Sequence, residues 1–493
     1  MRKGVKIMNK KRLKQALCAA AAISILLTGC SGTKTNSAKE EKNTAETVLT
    51  WYIPISKQND MDAVMEKVNE KLKEKIGATL NLVTIDTSAY DEKMNMKKAG
   101  GEAIDLCFTS TWTNKFINSA ISGAYIPLDD YYKDSVLKDA IPQFVWDDTI
   151  INGKMYAVPN YQIEYIQACV LTPKRLADKY SLDPESIKVK ADLEPYLTQI
   201  RDNEPDFFPY NPVDAGNSVI ASSKGYGSIS GLPYYSVDGN GKLVGLYDSD
   251  VQIQHYEKMR DWFKKGLIRK DVVSAAMTAS QDCNALKYAA WVGQMKPGSA
   301  AERAKSFGEE ILEIPIGTPK VNMYAAQAAM TAISINSENP DKAWELLEVV
   351  NTDKELFNLL CFGIEGRNYE KIGENMVAPS SEKKYKIAGW ILGNQFNAYL
   401  IEGQDEDTWE VTEKNNLEAE RSVFRGMNFD FNSIKTEITN MSAIISEYKW
   451  LDYGIMDYAE PMAEAKQKLM NAGAEKVKEE AQKQVDEFLA SKK

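Results

Sequence analysis

The sequence contains one histidine, His255, and no Cys-x-x-Cys pair. Because there is one histidine, any Ser-His or Cys-His catalytic pair would have to include His255, and most types of zinc site are excluded. His255 lies inside a helical pattern over 251–265, which favours a structural role. The chain is far too long to need disulfides. We therefore predict that the four cysteines beyond position 30 are buried core residues and form no disulfide. They are Cys107, Cys169, Cys283 and Cys361.

No Gly-x-x-x-x-Gly-Lys-Ser/Thr motif is present, so any ATPase that serves this protein must be a separate subunit. Nothing in the sequence indicates a metal site, a cofactor or a catalytic group. The apolar run over 16–27 has no charge but only 12 residues. A membrane span needs about 20 apolar residues, whereas a secretory signal needs about this length.

The N-terminal segment reads as an export signal. A basic head, Lys10, Lys11, Arg12 and Lys14, precedes the apolar run, and Leu-Thr-Gly-Cys closes it at Cys30. This Leu-Thr-Gly-Cys motif resembles the lipobox of bacterial lipoproteins, in which the cysteine is lipidated and becomes the first mature residue. The alternative is an ordinary cleaved signal with a chance cysteine. We predict a lipoprotein signal peptide at 1–29, a palmitate-bearing Cys30 with a flexible tether at 30–46, and an extracytoplasmic protein anchored to the cell membrane.

Positive charge is scarce once the leader is removed. Seven of the 60 basic residues lie before Cys30, which leaves 53 against 70 acidic residues and a net charge of about −17. Such a surface repels nucleic acid, so we expect no nucleic-acid partner. The remaining chain of roughly 450 residues exceeds what one hydrophobic core holds, which favours two lobes.

The first part of the mature chain alternates strands and helices. Strand patterns at 48–53, 80–85 and 103–108 are separated by helical patterns, the first of which ends at Gly77. Short joints between such elements predict a parallel sheet with helices on both faces. Ligands bind beyond the carboxyl ends of the strands in these sheets. We expect Trp51, Tyr52 and Trp112 there, although each tryptophan could instead plug an edge of the core.

Two later segments carry a family resemblance. Gly-Ala-Tyr-Ile-Pro-Leu-Asp-Asp at 123–130 and Asn-Gly-Lys-Met-Tyr-Ala-Val-Pro-Asn-Tyr at 152–161 resemble the extracellular solute-binding proteins of bacterial ABC importers for carbohydrate. The resemblance implies an α/β, two-lobed periplasmic-binding-protein type II fold with a mainly parallel sheet in each lobe. It places Asn160 and Tyr161 in the cleft. It also makes 289–295 a return strand into the first lobe, followed by a ligand-side loop.

A further phrase, Leu-Leu-Cys-Phe-Gly-Ile-Glu-Gly-Arg-Asn-Tyr at 359–369, resembles the LipO-like subgroup, which has a C-terminal domain of unassigned function. Phe362 and Asn368 depart from that subgroup, which has tyrosine and commonly histidine there. We expect lobe 1 at 47–158 plus 289–335 and lobe 2 at 159–288 plus 336–493, including the helical C-terminal region. The hinge should lie near Val158, Ala289 and Ile335.

A sugar site needs flat amphipathic rings to stack on the CH faces and fixed polar groups to bind the hydroxyls. The 9 tryptophans and 24 tyrosines outnumber the 14 phenylalanines, which weakly favours such rings. The predicted ligand-binding residues are the rings Trp51, Tyr52, Trp112, Tyr161 and Trp390 and the polar groups Asn160, Lys296, Gln327, Glu365, Arg367 and Asn394. Glu365 and Arg367 could instead form a salt-bridged turn, and the segment of Trp390 and Asn394 could be an inter-helix joint.

Three functions remain open at this stage. The first is a monomeric binding module whose two lobes close on a small solute, with an oligosaccharide or sugar as the favoured ligand. It delivers the solute to ABC permease subunits in the membrane. The second is a lipid-anchored glycosidase that uses Asp129 and Asp130 or Asp147 and Asp148. The third is a peptide or amino-acid receptor, or a surface interaction protein without a small ligand.

Overall fold

The computed structural model describes residues 47–213, 226–229, 231–276 and 279–492. The predicted signal peptide, Cys30 and tether lie outside these residues. Among the residues described, no helix combines the length and the apolar character that a membrane crossing requires. The predicted core cysteines Cys107, Cys169 and Cys361 are buried with free thiols, and Cys283 is buried as well. His255 is buried in a helix, in agreement with its predicted structural role.

The predicted N-terminal alternation is confirmed. Parallel pairing joins Thr47–Ile53 to Ala78–Thr84 on one side and to Leu106–Thr109 on the other. Gly77 ends the first helix with φ 63° and donates its N–H to the carbonyl of Lys73, as the sequence predicts for a left-handed cap. The sheet is completed by two antiparallel additions, Met330–Ile333 and then Val158–Pro159. This five-stranded first sheet is the centre of the first core.

A six-stranded second sheet lies later in the chain. Its central strand, Tyr165–Pro173, pairs in antiparallel fashion with three neighbours, and the sheet has parallel pairs at its edges. The second core packs on this sheet and includes Trp262 and Tyr453. The other strands of the second sheet are Phe208–Tyr210, Tyr288–Met295, Ile311–Pro315, Lys320–Val321 and Glu420–Arg421.

The expected lobe boundaries differ from these cores in two places. Strand Tyr288–Met295 pairs with Tyr165–Pro173, so it belongs to the second sheet and does not return to the first. Helices Pro340–Thr352 and Lys354–Phe362 contribute Trp344 and Leu360 to the first core, not to the second. The strand patterns were read correctly, but pairing partners depend on contacts between distant residues that periodicity does not encode. The chain therefore crosses between the cores at 160–164, 322–329 and 402–419, not near Ala289 or Ile335.

A third core is built by the C-terminal helices. Lys435–Glu447, Ala459–Asn471 and Ala474–Ser491 pack their apolar stripes together and against a small antiparallel sheet. The strands of that sheet are Gly227–Ser228, Tyr235–Val237 and Leu243–Gly245. Trp450 contacts both this core and the second core. The C-terminal region is thus packed firmly on the side of the second sheet.

The remaining elements connect and cover these cores. Short strands form at Ile150–Ile151, Lys154–Met155, Tyr369–Lys371, Met376–Pro379 and Leu400–Ile401. The other α-helices are Met61–Ile76, Thr87–Gly100, Phe116–Ile121, Asp129–Tyr132, Leu137–Ala140, Gln143–Asp147, Lys174–Lys179, Glu194–Asn203, Asp250–Lys264, Val272–Ala275, Ala279–Asn284, Ser299–Phe307, Gly389–Leu392 and Thr408–Glu418.

Candidate functional site

The carboxyl edge of the first sheet carries a solvent-facing tryptophan. After strand Leu106–Thr109 the chain turns sharply, and the Ser110 hydroxyl accepts the N–H groups of Trp112 and Thr113 at 3.2 and 2.9 Å. Asn114 completes the turn with φ 43° and donates its side-chain amide to the Phe108 carbonyl at 2.8 Å. This turn directs Trp112 outward, and 42% of its surface is exposed.

Trp112 and Trp390 form an aromatic surface that we call the indole platform. Their ring centroids are 6.4 Å apart, edge to face, and both pack on the buried ring of Phe108 at 5.7 and 6.1 Å. The Trp112 indole N–H donates to the carbonyl of Ala328 at 2.8 Å. Because that polar atom is already satisfied, the exposed ring surface can stack on the apolar face of a ligand.

Asn160 holds the platform from beneath. Its side-chain amide donates to the carbonyls of Trp390 and Ile391 at 2.9 and 3.0 Å, and its oxygen accepts the Thr331 hydroxyl at 3.2 Å. The side chain is buried. The family resemblance predicts that Asn160 contacts the ligand. In the structure its side chain instead holds the backbone of Trp390, which lies far from Asn160 in the sequence.

Tyr161 and Asn394 are also turned inward. Tyr161 is buried against Phe396 with centroids 4.6 Å apart, and its carbonyl accepts the N–H of Gln395 at 2.8 Å. Asn394 accepts the N–H of Phe396 at 3.1 Å and donates to the carbonyl of Ala140 at 3.0 Å. Both residues shape the turn behind Trp390. The segment of Trp390 and Asn394 therefore joins structural elements, as the alternative prediction has it, and at the same time carries one ring of the indole platform.

Gln327 lies at the same edge of the first sheet and is fully buried. Its carbonyl accepts the N–H of Thr111, one residue before Trp112, at 3.0 Å. Its side-chain amide donates to the carbonyl of Asp148 at 2.7 Å, while its side-chain oxygen has no partner among the described residues. Gln327 therefore ties the Trp112 turn to the helix end at Asp148.

Trp51 and Tyr52 do not join the platform. Trp51 pairs with Leu82 and Leu106 in mid-strand and is fully buried, because the strand continues to Ile53 and its alternation turns Trp51 toward the core. In this structure it cannot contact a ligand. Tyr52 is half-buried on the opposite face of the sheet, with the Lys97 ammonium 5.0 Å from its ring centroid.

Glu365 and Arg367 lie on one turn and form ion pairs, each with a different residue. The Arg367 guanidinium donates two bonds of 2.6 Å to the Asp60 carboxylate. These bonds, with one from Asn368, lower the pKa of Asp60 to about 2. Asp60 directly precedes the first helix but makes no side-chain cap bond to it. Glu365 is exposed, 3.8 Å from the Lys371 ammonium.

Lys296 lines a pocket of ≈ 490 Å³ at the edge of the second sheet. This volume is in the range of small-ligand sites. Opposite charges meet inside it: the Lys296 ammonium is 3.4 Å from Glu302, and Arg303 is paired with Glu313. Residues that the sequence did not single out supply most of the lining: Ile163, Tyr165, Asn284, Gln294, Met295, Ser299, Glu302, Arg303, Ser306 and Phe307.

Two carboxyl groups are buried near Gln327. Burial raises the pKa of Asp148 to about 6, although Arg425 at 2.9 Å opposes the shift. Burial and the charge of Asp148 raise the pKa of Glu164 to about 8, against the guanidinium groups of Arg425 and Arg421. Asp148 is thus enclosed in an ion pair, whereas its neighbour Asp147 is exposed. This arrangement gives no support to the pair as the acid and base of a glycosidase.

Comparison with known proteins identifies relatives along nearly the whole chain. Residues 423–490 match a family described as a domain of unknown function, DUF3502. The chain is 29% identical to a carbohydrate ABC transporter substrate-binding protein of Streptococcus pneumoniae serotype 4, over 98% of this chain and 100% of that protein.

The fold is similar to solved structures of the N-glycan transport solute binding protein NgtS from Streptococcus pneumoniae. One crystal structure superposes with a TM-score of 0.81 at 28% identity, over 91% of this chain and 100% of that chain. Its complex with Man5GlcNAc superposes with a TM-score of 0.69 at 28% identity and the same coverage. The resemblance predicted from the sequence is therefore confirmed: the homologues of this chain are two-lobed, carbohydrate-binding solute-binding proteins of ABC transporters, and the chain carries the DUF3502 domain at its C-terminal end.

Proposed function

We propose that this protein is the lipid-anchored substrate-binding component of an ABC importer. It captures an oligosaccharide between two closing lobes and delivers it to the permease. The observation that carries the proposal is the indole platform, because Trp112 is exposed while its indole N–H already has a partner. The part of the indole that is not packed against Phe108 and Trp390 faces solvent and fits the CH face of a sugar ring.

The second-sheet pocket supplies the opposing wall in this proposal. Residues 160–165 connect the support of the platform to Tyr165 in the pocket, and five residue steps span at most about 18 Å. In the proposal, one oligosaccharide contacts both surfaces. The paired charges of Lys296 with Glu302 and of Arg303 with Glu313 favour a neutral, hydroxyl-rich ligand over a peptide with charged ends.

Closure of the lobes would bury the sugar between the platform and the pocket, and the permease would recognise the closed form. The expected affinity is micromolar, on the order of −8 kcal/mol. The role requires no catalytic group and no cofactor, and we assign the protein no enzymatic activity. Release of reducing sugar from an oligosaccharide by the purified protein would contradict that assignment.

The location follows from the N-terminal motif. We assign the protein to the outer face of the cell membrane, held as a monomer by lipid on Cys30, because the Leu-Thr-Gly-Cys close follows a basic and apolar leader. Metabolic labelling with a palmitate analogue tests this directly. The parent should be labelled and found with membranes, whereas Cys30→Ser should be unlabelled. Equal labelling of both proteins would refute the anchor.

Isothermal calorimetry tests the binding function. Man5GlcNAc and other neutral mannose-containing oligosaccharides are the first probes, since the similar NgtS protein was crystallised with Man5GlcNAc. Charged peptides and free amino acids form the second arm of the panel. Micromolar binding of a neutral oligosaccharide supports the proposal. Binding confined to the peptide arm would replace it with the peptide-receptor alternative.

A further inference from the structure

The chain that leads from the last strand of the second sheet into the start of the DUF3502 match makes contacts with the first core. Arg425 donates to the Asp148 carboxylate at 2.9 Å and also to the carbonyl of Phe144. The Arg421 guanidinium lies 4.3 Å from the ring centroid of Phe144. Phe144 and Asp148 belong to the first core and its border, so residues 421–428 reach across from the second sheet. We call residues 421–428 the brace.

Asn428 adds a contact that leads to the platform. Its side chain lies 3.4 Å from the amide of Gln327 and donates to the carbonyl of Ile150 at 3.4 Å. Gln327 in turn accepts the N–H of Thr111, and the adjacent Ala328 carbonyl accepts the indole N–H of Trp112. A short chain of hydrogen bonds therefore connects the brace with the indole platform.

The other end of the C-terminal region is fixed to the second core. Arg260 donates to Asp457 at 2.9 Å and to the carbonyl of Ile455 at 3.0 Å. Gln252 donates to Asp452 at 2.8 Å, and Tyr453 is part of the second core. The last helix adds support where Lys492 donates to the carbonyl of Arg425 at 2.9 Å. The C-terminal region thus touches both cores.

We propose that the DUF3502 region, through the brace, holds the two lobes at the separation seen here and so sets the free energy of closure. The proposal rests on the proposed function, because it assumes that closure accompanies sugar binding. The brace contacts join the two cores, so a rotation of one core against the other acts on them directly. In the proposal these contacts are lost on closure, and they therefore stabilise this conformation relative to a closed one.

The chemistry of the brace makes its loss measurable. Asp148 is almost fully buried, so removing Arg425 leaves a buried carboxyl group without its cation, which is a large perturbation. A protein freed from the brace populates the closed conformation more often, and apparent affinity rises with that population. We expect Arg425→Gln and Asn428→Ala to tighten oligosaccharide binding by about 2-fold to 30-fold, the usual range for coupling residues that do not contact the ligand.

Spin labels measure the effect without any ligand. Glu66→Cys on the first helix and Asp178→Cys beside the second sheet, in the mature protein with Cys30→Ser, place one label on each lobe. Both positions are exposed, whereas the four native cysteines that remain after Cys30→Ser are buried. Pulsed electron resonance then gives the distance distribution between the lobes for the parent and for each brace variant. Lys466→Gln, which removes an ion pair with Asp248 that does not reach the first core, is the matched control.

The brace variants should show a broader or shorter distribution than the parent and the control, and tighter binding of whichever probe the parent binds. Asn428→Ala keeps the test valid if Arg425→Gln does not fold. If the brace variants and the parent have equal distance distributions, the claim that the brace holds the lobes apart is wrong. A changed distribution with weaker binding overturns the claim that the brace opposes closure. If the parent binds no oligosaccharide, the proposed function fails while the unliganded distances still decide whether the brace exists.

Discussion

The rings of Trp112 and Trp390 meet edge to face at 6.4 Å on the carboxyl edge of the first sheet, over the buried ring of Phe108. Trp112 is held by a turn that follows a strand, and Trp390 by a short helix far along the chain. Each position depends on hydrogen bonds to the backbone, which fix the rings before any ligand arrives. A preformed stacking surface of this kind lowers the entropy cost of binding.

Asn160→Ala should weaken both folding and binding. The change leaves the carbonyls of Trp390 and Ile391 without their donor, which costs about 1–3 kcal/mol, and it frees Trp390 to move. Urea unfolding and calorimetry with the same oligosaccharide measure the two effects. Asn118→Ala on an exposed helix position is the control. A variant that is less stable but binds with the parent's affinity would show that Asn160 does not position the platform.

Glu164 should make stability depend on pH. Its pKa is about 8 in the fold against an ordinary value of 4.5, so the folded protein holds the proton more tightly than the unfolded chain. The resulting stabilisation is complete below about pH 4.5 and is lost as pH rises toward 8. Glu164→Gln should therefore flatten the fall in the free energy of unfolding between pH 6.5 and 8.5.

The measured range, pH 6.5 to 8.5, begins above the pKa of Asp148, which is about 6. Asp148 therefore contributes little to the change of the free energy of unfolding with pH in this range. At pH 8.5 the Glu164→Gln variant should be more stable than the parent by up to a few kcal/mol, since each pKa unit is worth about 1.4 kcal/mol. Exposed Glu370→Gln is the control in the same urea titrations. Parallel pH profiles for the parent and Glu164→Gln would refute the assignment.

Arg367→Ala should leave sugar binding unchanged. Its guanidinium is engaged by Asp60 through two bonds of 2.6 Å, so the residue joins two segments of the first core. Because this bond lowers the pKa of Asp60 to about 2, its stabilising effect is present above pH 3.8 and lost as pH falls toward 2. Acid unfolding of the variant should begin at higher pH than that of the parent. Reduced affinity with an unchanged acid transition would instead return Arg367 to the site.

Local patterns predicted the N-terminal half of the first sheet well. The first helical pattern and its end at Gly77 depend only on neighbouring residues, and the structure reproduces them. The family resemblance predicts that strand Tyr288–Met295 returns to the first lobe, whereas it pairs with Tyr165–Pro173, which lies far away in sequence. Pairing of distant strands is decided by tertiary packing, which a single sequence does not display.

Residue type predicted which side chains lie together better than it predicted the contacts of each one. Five of the predicted ligand-binding residues converge at one edge of the first sheet, namely Trp112, Asn160, Gln327, Trp390 and Asn394. Three of these are amides with backbone partners, and a sequence does not reveal whether an amide faces a ligand or a carbonyl. The strand ends at Ile53, as its pattern predicts, and Trp51 lies two residues before that end, where the alternation of side chains turns it into the core.

Calorimetric titration of a neutral oligosaccharide into Trp112→Ala and Trp51→Phe tests the central claim most directly. Trp112→Ala removes the exposed ring and should weaken binding by about tenfold or more, about 1.4 kcal/mol, as for an anchoring aromatic. Trp51→Phe changes a buried ring and should retain the parent's affinity. If Trp112→Ala binds as tightly as the parent, or if only Trp51→Phe loses affinity, the indole platform is not the sugar site.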